Sequence, residues 1–171
     1  WDINGDGLAD LIVGANRGDR IAGSNAGRSY VIFGQSGTTS IELSAIAAGT
    51  GGFVINGQCA SDYSGISVAS AGDVNGDGLA DLIVGAHKGD PTAGTDAGRS
   101  YVIFGQQIST AIFLSAVAAG TGGFVINGQC TTDKSGQSVA DAGDVNGDGL
   151  ADLIIGAKWS DPSTGLSAGR S

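Results

Sequence analysis

The sequence has little with which to perform catalysis. Its 171 residues include one histidine, His87. The residues that stand in its place in the repeats described below are Asn16 and Lys158. No Cys-His pair or Ser-His-Asp set recurs, and no Gly-x-Ser-x-Gly elbow occurs. The glycine-rich stretches Gly49–Gly52 and Gly120–Gly123 lack the Lys-Ser/Thr of a phosphate loop, so they read as tight turns before strands. No enzyme active site is expected in this chain. Basic residues are also scarce: 8 stand against 17 acidic ones, for a net charge of −9. That balance argues against nucleic acid, whose phosphates demand a basic face. Every apolar run is too short to span a bilayer.

Proline occurs twice, and no collagen-like triplet organises the 32 glycines, so the glycines punctuate short elements. Two cysteines are present, Cys59 and Cys130. They occupy the same place in successive repeats, and such points are usually too far apart for a disulfide. Both are expected to be free, small and half-buried, the alternative being a bond to another chain.

One motif is written three times at a spacing of 71 residues: Asp-x-Asn-Gly-Asp-Gly-Leu-Ala-Asp, starting at Asp2, Asp73 and Asp144. Oxygen-bearing side chains stand at positions 1, 3, 5 and 9, with glycine at position 6. Calcium is a hard cation that takes about six to eight oxygens in flexible geometry. The expected ligands are Asp2, Asn4, Asp6, Asp10 and the Leu8 carbonyl in the first copy. The second offers Asp73, Asn75, Asp77, Asp81 and the Leu79 carbonyl; the third offers Asp144, Asn146, Asp148, Asp152 and the Leu150 carbonyl. Three Ca²⁺ ions are expected, one per loop. They would bring the charge from −9 to about −3, so most of the acidity is a metal-site signature. No soft ligand is present, which disfavours zinc. The bland reading is an acidic hairpin turn, because Asn-Gly and Asp-Gly form turns readily. Three copies with every oxygen retained favour calcium, since close carboxylates repel without a cation.

The loop is not an EF-hand. Position 12, where that loop needs a bidentate glutamate, is Val13, Val84 or Ile155. It is not a dockerin either, because no helix follows.

Residues 2–72 align with 73–143 without a gap, and about three quarters of the positions are identical. The expected units are 1–72, a partial blade completed by the leading strand of the next repeat; 73–143, a full repeat; and 144–171, a partial third. One period predicts four strands: Ser67–Gly72, Leu82–Ala86, Arg99–Gly105 and Gly123–Gly128. Leu114–Gly120 predicts one helical turn ended by glycine. The run at Leu82 reads as buried on both faces. A small antiparallel sheet of this kind cannot cover its own faces, so copies must stack. Four strands per unit favour a β-propeller over a solenoid.

The strand ending Phe-Gly (Phe33-Gly34, Phe104-Gly105) is one mark of a known pattern. Gly-x-Ser-Val-Ala before the loop (Gly65–Ala69, Gly136–Ala140) and the loop running into Leu-Ile-Val-Gly-Ala are the others. Together they resemble the FG-GAP repeat, over the whole chain. The resemblance implies blades like those of the integrin α-subunit propeller and of secreted bacterial and cyanobacterial proteins. Departures occur at Asn16, His87 and Lys158, where the family ends Gly-Ala-Pro, and at Ser64 and Ser135, where it often has Phe. Trp1 replaces the glycine found at Gly72 and Gly143.

The fold expected is all-β: about two and a half four-stranded propeller blades. A closed propeller takes about four to eight, so further blades from the same larger protein, or from other copies, are expected to complete it. The resemblance implies an extracellular or cell-surface module for adhesion or surface recognition of a protein or glycan ligand, with calcium in a structural role. Two alternatives stand beside it: a repeat protein of an extracellular filament, sheath or surface layer, and an accessory carbohydrate-binding domain of a secreted enzyme. Asp19, Asp90 and Asp161 recur outside the loops, as do Arg28, Arg99 and Arg170, and are expected to pair within or between blades. The variable loop between them is the expected ligand surface. Glu42 stands where the next repeat has Phe113, and that position is expected to be exposed.

Overall fold

The computed structural model describes residues 1–18, 22–161 and 169–171. They form ten strands and two helical turns. The strands are β1 (Leu11–Ala15), β2 (Arg28–Ile32), β3 (Gly52–Asn56), β4 (Ser67–Gly72), β5 (Asp81–Ala86), β6 (Arg99–Ile103), β7 (Ile112–Phe113), β8 (Gly123–Asn127), β9 (Ser138–Gly143) and β10 (Asp152–Gly156). The turns are α1 (Leu43–Ala47) and α2 (Leu114–Ala118).

The second sheet is the complete unit. Its order is β4-β5-β6-β8, every pair antiparallel, with the acidic loop as the turn between β4 and β5. The sheet boundary does not follow the repeat boundary. Ser67–Gly72 lies within the expected unit 1–72 but leads the second sheet, while the first sheet runs β1-β2-β3-β7. Its fourth member, β7, belongs to the second repeat and pairs parallel to β3, Ile55 opposite Ile112. The third sheet consists of β9 and β10 among the described residues, with an isolated bridge from Ala157 to Arg170.

Successive sheets pack face to face, and strand alternation explains how. Leu82, Val84 and Ala86 of β5 point into one core with Ile3, Val31, Ile55, Tyr101 and Leu114. Ile83, between them, points into a second core with Ala71, Val102, Val139, Leu153 and Ile155. Every residue of β5 is buried, as the apolar run predicts. Burying one large apolar side chain fully is worth about 1.5–3 kcal/mol, so these shared cores hold the sheets together. The helical turn α2 is found where predicted, and Gly120 after it takes φ +87, the left-handed cap. Glu42 and Phe113 are both exposed, as expected.

Candidate functional site

The three acidic loops share one backbone course. In the first, Asp2 Oδ1 accepts the N–H groups of Gly5 (2.7 Å) and Asp6 (3.1 Å), and Oδ2 accepts that of Gly7 (2.7 Å). Asp73 accepts Gly76, Asp77 and Gly78 at 2.7, 3.1 and 2.9 Å. Asp144 accepts Gly147, Asp148 and Gly149 at the same three distances. Donors at positions 4, 5 and 6 thus converge on the first carboxylate. They hold its pKa below the ordinary value, the position-6 glycine contributing most. This convergence requires glycine at position 6: Gly7, Gly78 and Gly149 take φ between +85 and +89.

Positions 3 and 5 repeat as closely. Asn4, Asn75 and Asn146 accept the N–H of the position-5 aspartate at 2.9, 2.9 and 2.8 Å. Asp6, Asp77 and Asp148 accept the N–H of Leu8, Leu79 and Leu150 at 2.8, 2.9 and 2.9 Å.

Position 9 differs, because it is buried. Asp10 is 3% exposed and Asp81 fully buried. Asp81 Oδ2 accepts the Val74 N–H (2.9 Å), and Oδ1 accepts the Gly105 N–H (2.8 Å). Asp10 does the same with Ile3 and Gly34, each at 2.8 Å. This acid therefore ties the loop to the Phe-Gly end of the third strand. Burial pushes the Asp81 pKa up, and the two N–H donors oppose that shift. In the third copy Asp152 Oδ2 keeps the equivalent contact, with Val145 N–H (2.8 Å), and Oδ1 accepts the Asn146 side-chain amide.

Among the described residues, no three His, Cys, Asp or Glu side chains are gathered as a metal cluster. The loop carboxylates are held by backbone N–H groups, and the position-3 amide also donates to Asp6 (2.9 Å) and Asp77 (2.8 Å). Their donor set nonetheless suits a hard cation, being oxygen throughout. A carboxylate offers about four lone-pair sites. Asp10 and Asp81 each use two, one on either oxygen, and keep capacity on both. Space is also open: an added Cβ at Gly7, Gly78 or Gly149 would meet nothing within 4 Å.

The loops touch one another, which the sequence alone does not reveal. Ala80 N–H donates to the Asp2 carbonyl (3.2 Å), and Ala151 N–H to the Asp73 carbonyl (3.1 Å). Gln106 N–H reaches the Ile3 carbonyl at 3.1 Å.

A second polar cluster joins the first two sheets. Arg99 donates through Nη1 to Gln58 Oε1 (2.8 Å) and through Nη2 to the Asp90 carbonyl (3.0 Å). Tyr101 Oη donates to the same Gln58 oxygen at 2.6 Å. Arg170 reaches Gln129 likewise, at 2.5 Å. For Arg99 and Asp90 the expected carboxylate pairing is thus corrected. Arg99 does bridge sheets, but to a glutamine, while the Asp90 carboxylate accepts the Asp96 N–H. Asp19 lies outside the described residues.

Asp62 and Asp133, buried beneath this cluster, escaped the sequence reading although they recur at the repeat spacing. They accept the N–H groups of Cys59 (3.2 Å) and Cys130 (3.0 Å). Both cysteines are free as expected, yet exposed and not half-buried. Their turns leave the sheets at Gly57 and Gly128 and stand in solvent.

Comparison with known proteins adds relatives to this geometry. The FG-GAP repeat pattern matches residues 2–32, 64–103 and 136–171. Phosphatidylinositol-glycan-specific phospholipase D from Bos taurus is 32% identical over 169 residues, 98% of this chain and 19% of that protein. Integrin alpha-4 from Xenopus laevis is 29% identical over 161 residues, covering 94% of this chain and 14% of the integrin. Integrin alpha-7 from Mus musculus is 31% identical over 160 residues, 91% of this chain and 11% of that one. The chain spans less than a fifth of each of these relatives. With the pattern matched three times, on successive antiparallel sheets joined by acidic loops, the chain belongs to the FG-GAP repeat family, whose repeats form β-propeller blades.

Proposed function

We propose that this chain is a calcium-stapled segment of an extracellular or cell-surface β-propeller that serves in adhesion or surface recognition. The observation that carries the calcium reading is the threefold loop: twelve side-chain oxygen donors of one type, in one order, on one backbone course. In each loop the aspartates at positions 1, 5 and 9, the asparagine at 3 and the leucine carbonyl at 7 would hold the ion. Bound calcium would draw the three carboxylates of a loop together, supply them with positive charge and fix the turn between the first two strands of a blade. Its role is structural, because the loop joins core strands.

The location and the recognition role rest on the likeness to integrin alpha chains. The phospholipase D likeness covers 19% of that protein, and we read the present residues as holding no active site. Further blades complete the ring. Leu11 and Val13 on β1, and Ile154 on β10, remain exposed on the outward faces of the first and third sheets. Apolar faces of this kind fit a neighbouring blade.

Thermal unfolding in calcium and in excess chelator tests the staple. A ligand at 100 times its Kd adds about 2.7 kcal/mol, which for a chain of this size is about 5–10 °C in Tm. Magnesium at equal concentration is expected to give much less. Identical melting curves in calcium and chelator would discard the proposal.

A further inference from the structure

The charge of this chain is unevenly placed. β5 begins at Asp81, in the second acidic loop, and ends at Ala86; His87 and Lys88 follow it. β10 begins at Asp152, and Lys158 follows its end. A strand of this length spans about 17–20 Å. The acidic loops and these cations therefore stand at opposite ends of the sheets. The chain has three lysines, Lys88, Lys134 and Lys158, and the charge of all three acts on His87. Burial first, then Lys134 and Lys88, hold the imidazole below its ordinary pKa; Asp96 opposes them, and Lys158 adds least. Arg17, the counterpart of Lys88, follows β1 at the same end and is exposed.

Aromatic rings are set among these cations. Lys88 Nζ stands 5.1 Å from the centroid of Tyr63, whose ring also meets His87 at 5.8 Å. In the next repeat the partners are exchanged: Lys134 replaces Tyr63, and Trp159 replaces Lys88. Lys134 Nζ stands 5.3 Å from the Trp159 ring, and Lys158 Nζ 5.9 Å from it. The backbone frame is the same at both places. Lys88 N–H donates to the Asp62 carbonyl (3.4 Å), and Trp159 N–H to the Asp133 carbonyl (3.3 Å). Tyr63 and Lys134 both take φ 54. Trp159 is 47% exposed despite its size.

Asp96 acts on His87 from this side, while three other acids near the face are engaged by backbone donors. The carboxylates of Asp62 and Asp133 are buried and turned to the Cys59 and Cys130 N–H groups. That of Asp90 accepts the Asp96 N–H. Each lysine is thus steadied over an aromatic face, by an attraction that leaves its N–H donors available.

We propose that this face binds an acidic polysaccharide: Trp159 is the platform on which a sugar ring stacks, and Lys134 and Lys158, with Lys88 beside them, meet its carboxylate or sulfate groups. The overall charge does not forbid an anion here. Exposed charges are largely screened beyond a Debye length of about 8 Å at physiological salt, and the acidic loops lie about twice that away. An exposed indole with two ammonium groups 5.3 and 5.9 Å from its centroid suits a ring that carries its charges at the edge. An acidic peptide offers the charges without the flat ring. This names a ligand class for the recognition role and does not depend on calcium.

The test uses the 171-residue chain in calcium, with Trp1→Phe so that Trp159 is the sole fluorescent indole. Probes are a heparin-type sulfated oligosaccharide, a polygalacturonate oligomer, a neutral dextran oligomer and poly-glutamate, each titrated by fluorescence and calorimetry. At least one anionic saccharide is expected to bind, weakening as salt rises, while dextran and poly-glutamate do not. Lys134→Gln/Lys158→Gln is expected to weaken that binding about tenfold or more, and Trp159→Ala about fivefold or more. Both variants should keep the parent Tm and its response to calcium. Three outcomes overturn the proposal: no binding of either acidic saccharide, unchanged affinity in either variant, or poly-glutamate binding as tightly as the saccharides. If saccharide binding fails while the calcium-dependent Tm persists, only this inference falls.

Discussion

Asp62 shows what one buried carboxylate costs. Burial, only partly offset by the Cys59 N–H and by Arg99, pushes its pKa from 3.8 up to about 6. The folded state then holds a proton more tightly than the unfolded one between these values. Stability from this group falls as pH rises from about 4 to about 6, and the full penalty applies above that. Asp62→Asn keeps an acceptor for the Cys59 N–H and removes the charge. It is expected to stabilise the protein at pH 7 by roughly 1–2 kcal/mol and to change little at pH 3.5. A gain that is the same at both pH values would contradict this. The first aspartates of the loops act in the opposite sense. Their pKa values are lowered by loop N–H donors, so their stabilisation holds above about 4 and fades as pH falls through the lowered values. Within one loop, Asp81 and Asp77 also separate. Asp81→Ala leaves the Val74 and Gly105 N–H groups without their acceptor. It should cost about 2–4 kcal/mol even in chelator. Asp77→Ala removes an exposed acceptor and should cost little in chelator, while reducing the gain in Tm that calcium gives. Melting curves of both variants, with and without calcium, check this ranking. The sequence made position 9 legible as an oxygen donor. Its tie to Phe-Gly was not legible, because that partner lies 24 residues away.

At the scale of elements, periodicity served well wherever a strand faced two cores. The apolar run of β5 could be read as doubly buried, and Leu82 and Val84 do face one core while Ile83 faces the other. The helical turn before Gly120 was likewise visible in its glycine. β7 was not, because two residues carry no period and its partner β3 belongs to the preceding repeat. Glycine within β5 has a meaning that composition also hides. A Cβ on Gly85 would stand 2.0 Å from the Gly136 carbonyl oxygen, on the segment that leads into the third sheet. That segment is itself bonded at this level, Gly136 N–H to the Gly156 carbonyl at 3.2 Å. Gly85→Ala must therefore push the two backbones away from each other, and is expected to cost about 3 kcal/mol. Gly78→Ala meets nothing within 4 Å and suffers only its φ of +86, worth about 1–2 kcal/mol. Urea unfolding of the two variants in chelator distinguishes a crossing of chains from a strained turn. A larger loss at Gly78 would reverse the assignment.

Across the molecule, the acidic loops form a chain of contacts from sheet to sheet. The second loop donates from Ala80 to the Asp2 carbonyl of the first, and accepts at its Asp73 carbonyl from Ala151 of the third. Leu79 lies against Gly5 and Leu150 against Gly76, 3.2 and 3.3 Å from where a Cβ would stand. The repeat spacing announced three separate sites; their contact arises from stacking, which no single repeat encodes. An ion that orders one loop also orders the carbonyl or the N–H offered to its neighbour, so the proposed calcium sites should be coupled. The second loop touches both neighbours, whereas the third touches one. Asp73→Ala is therefore expected to weaken calcium binding at both remaining loops, about fivefold for a coupling near 1 kcal/mol. Asp144→Ala should weaken the second loop and leave the first as it was. Calcium titration calorimetry on the two variants and the parent measures this directly. Equal affinities at the remaining loops in all three proteins would mean that the contacts transmit nothing and that each calcium staples its own blade alone.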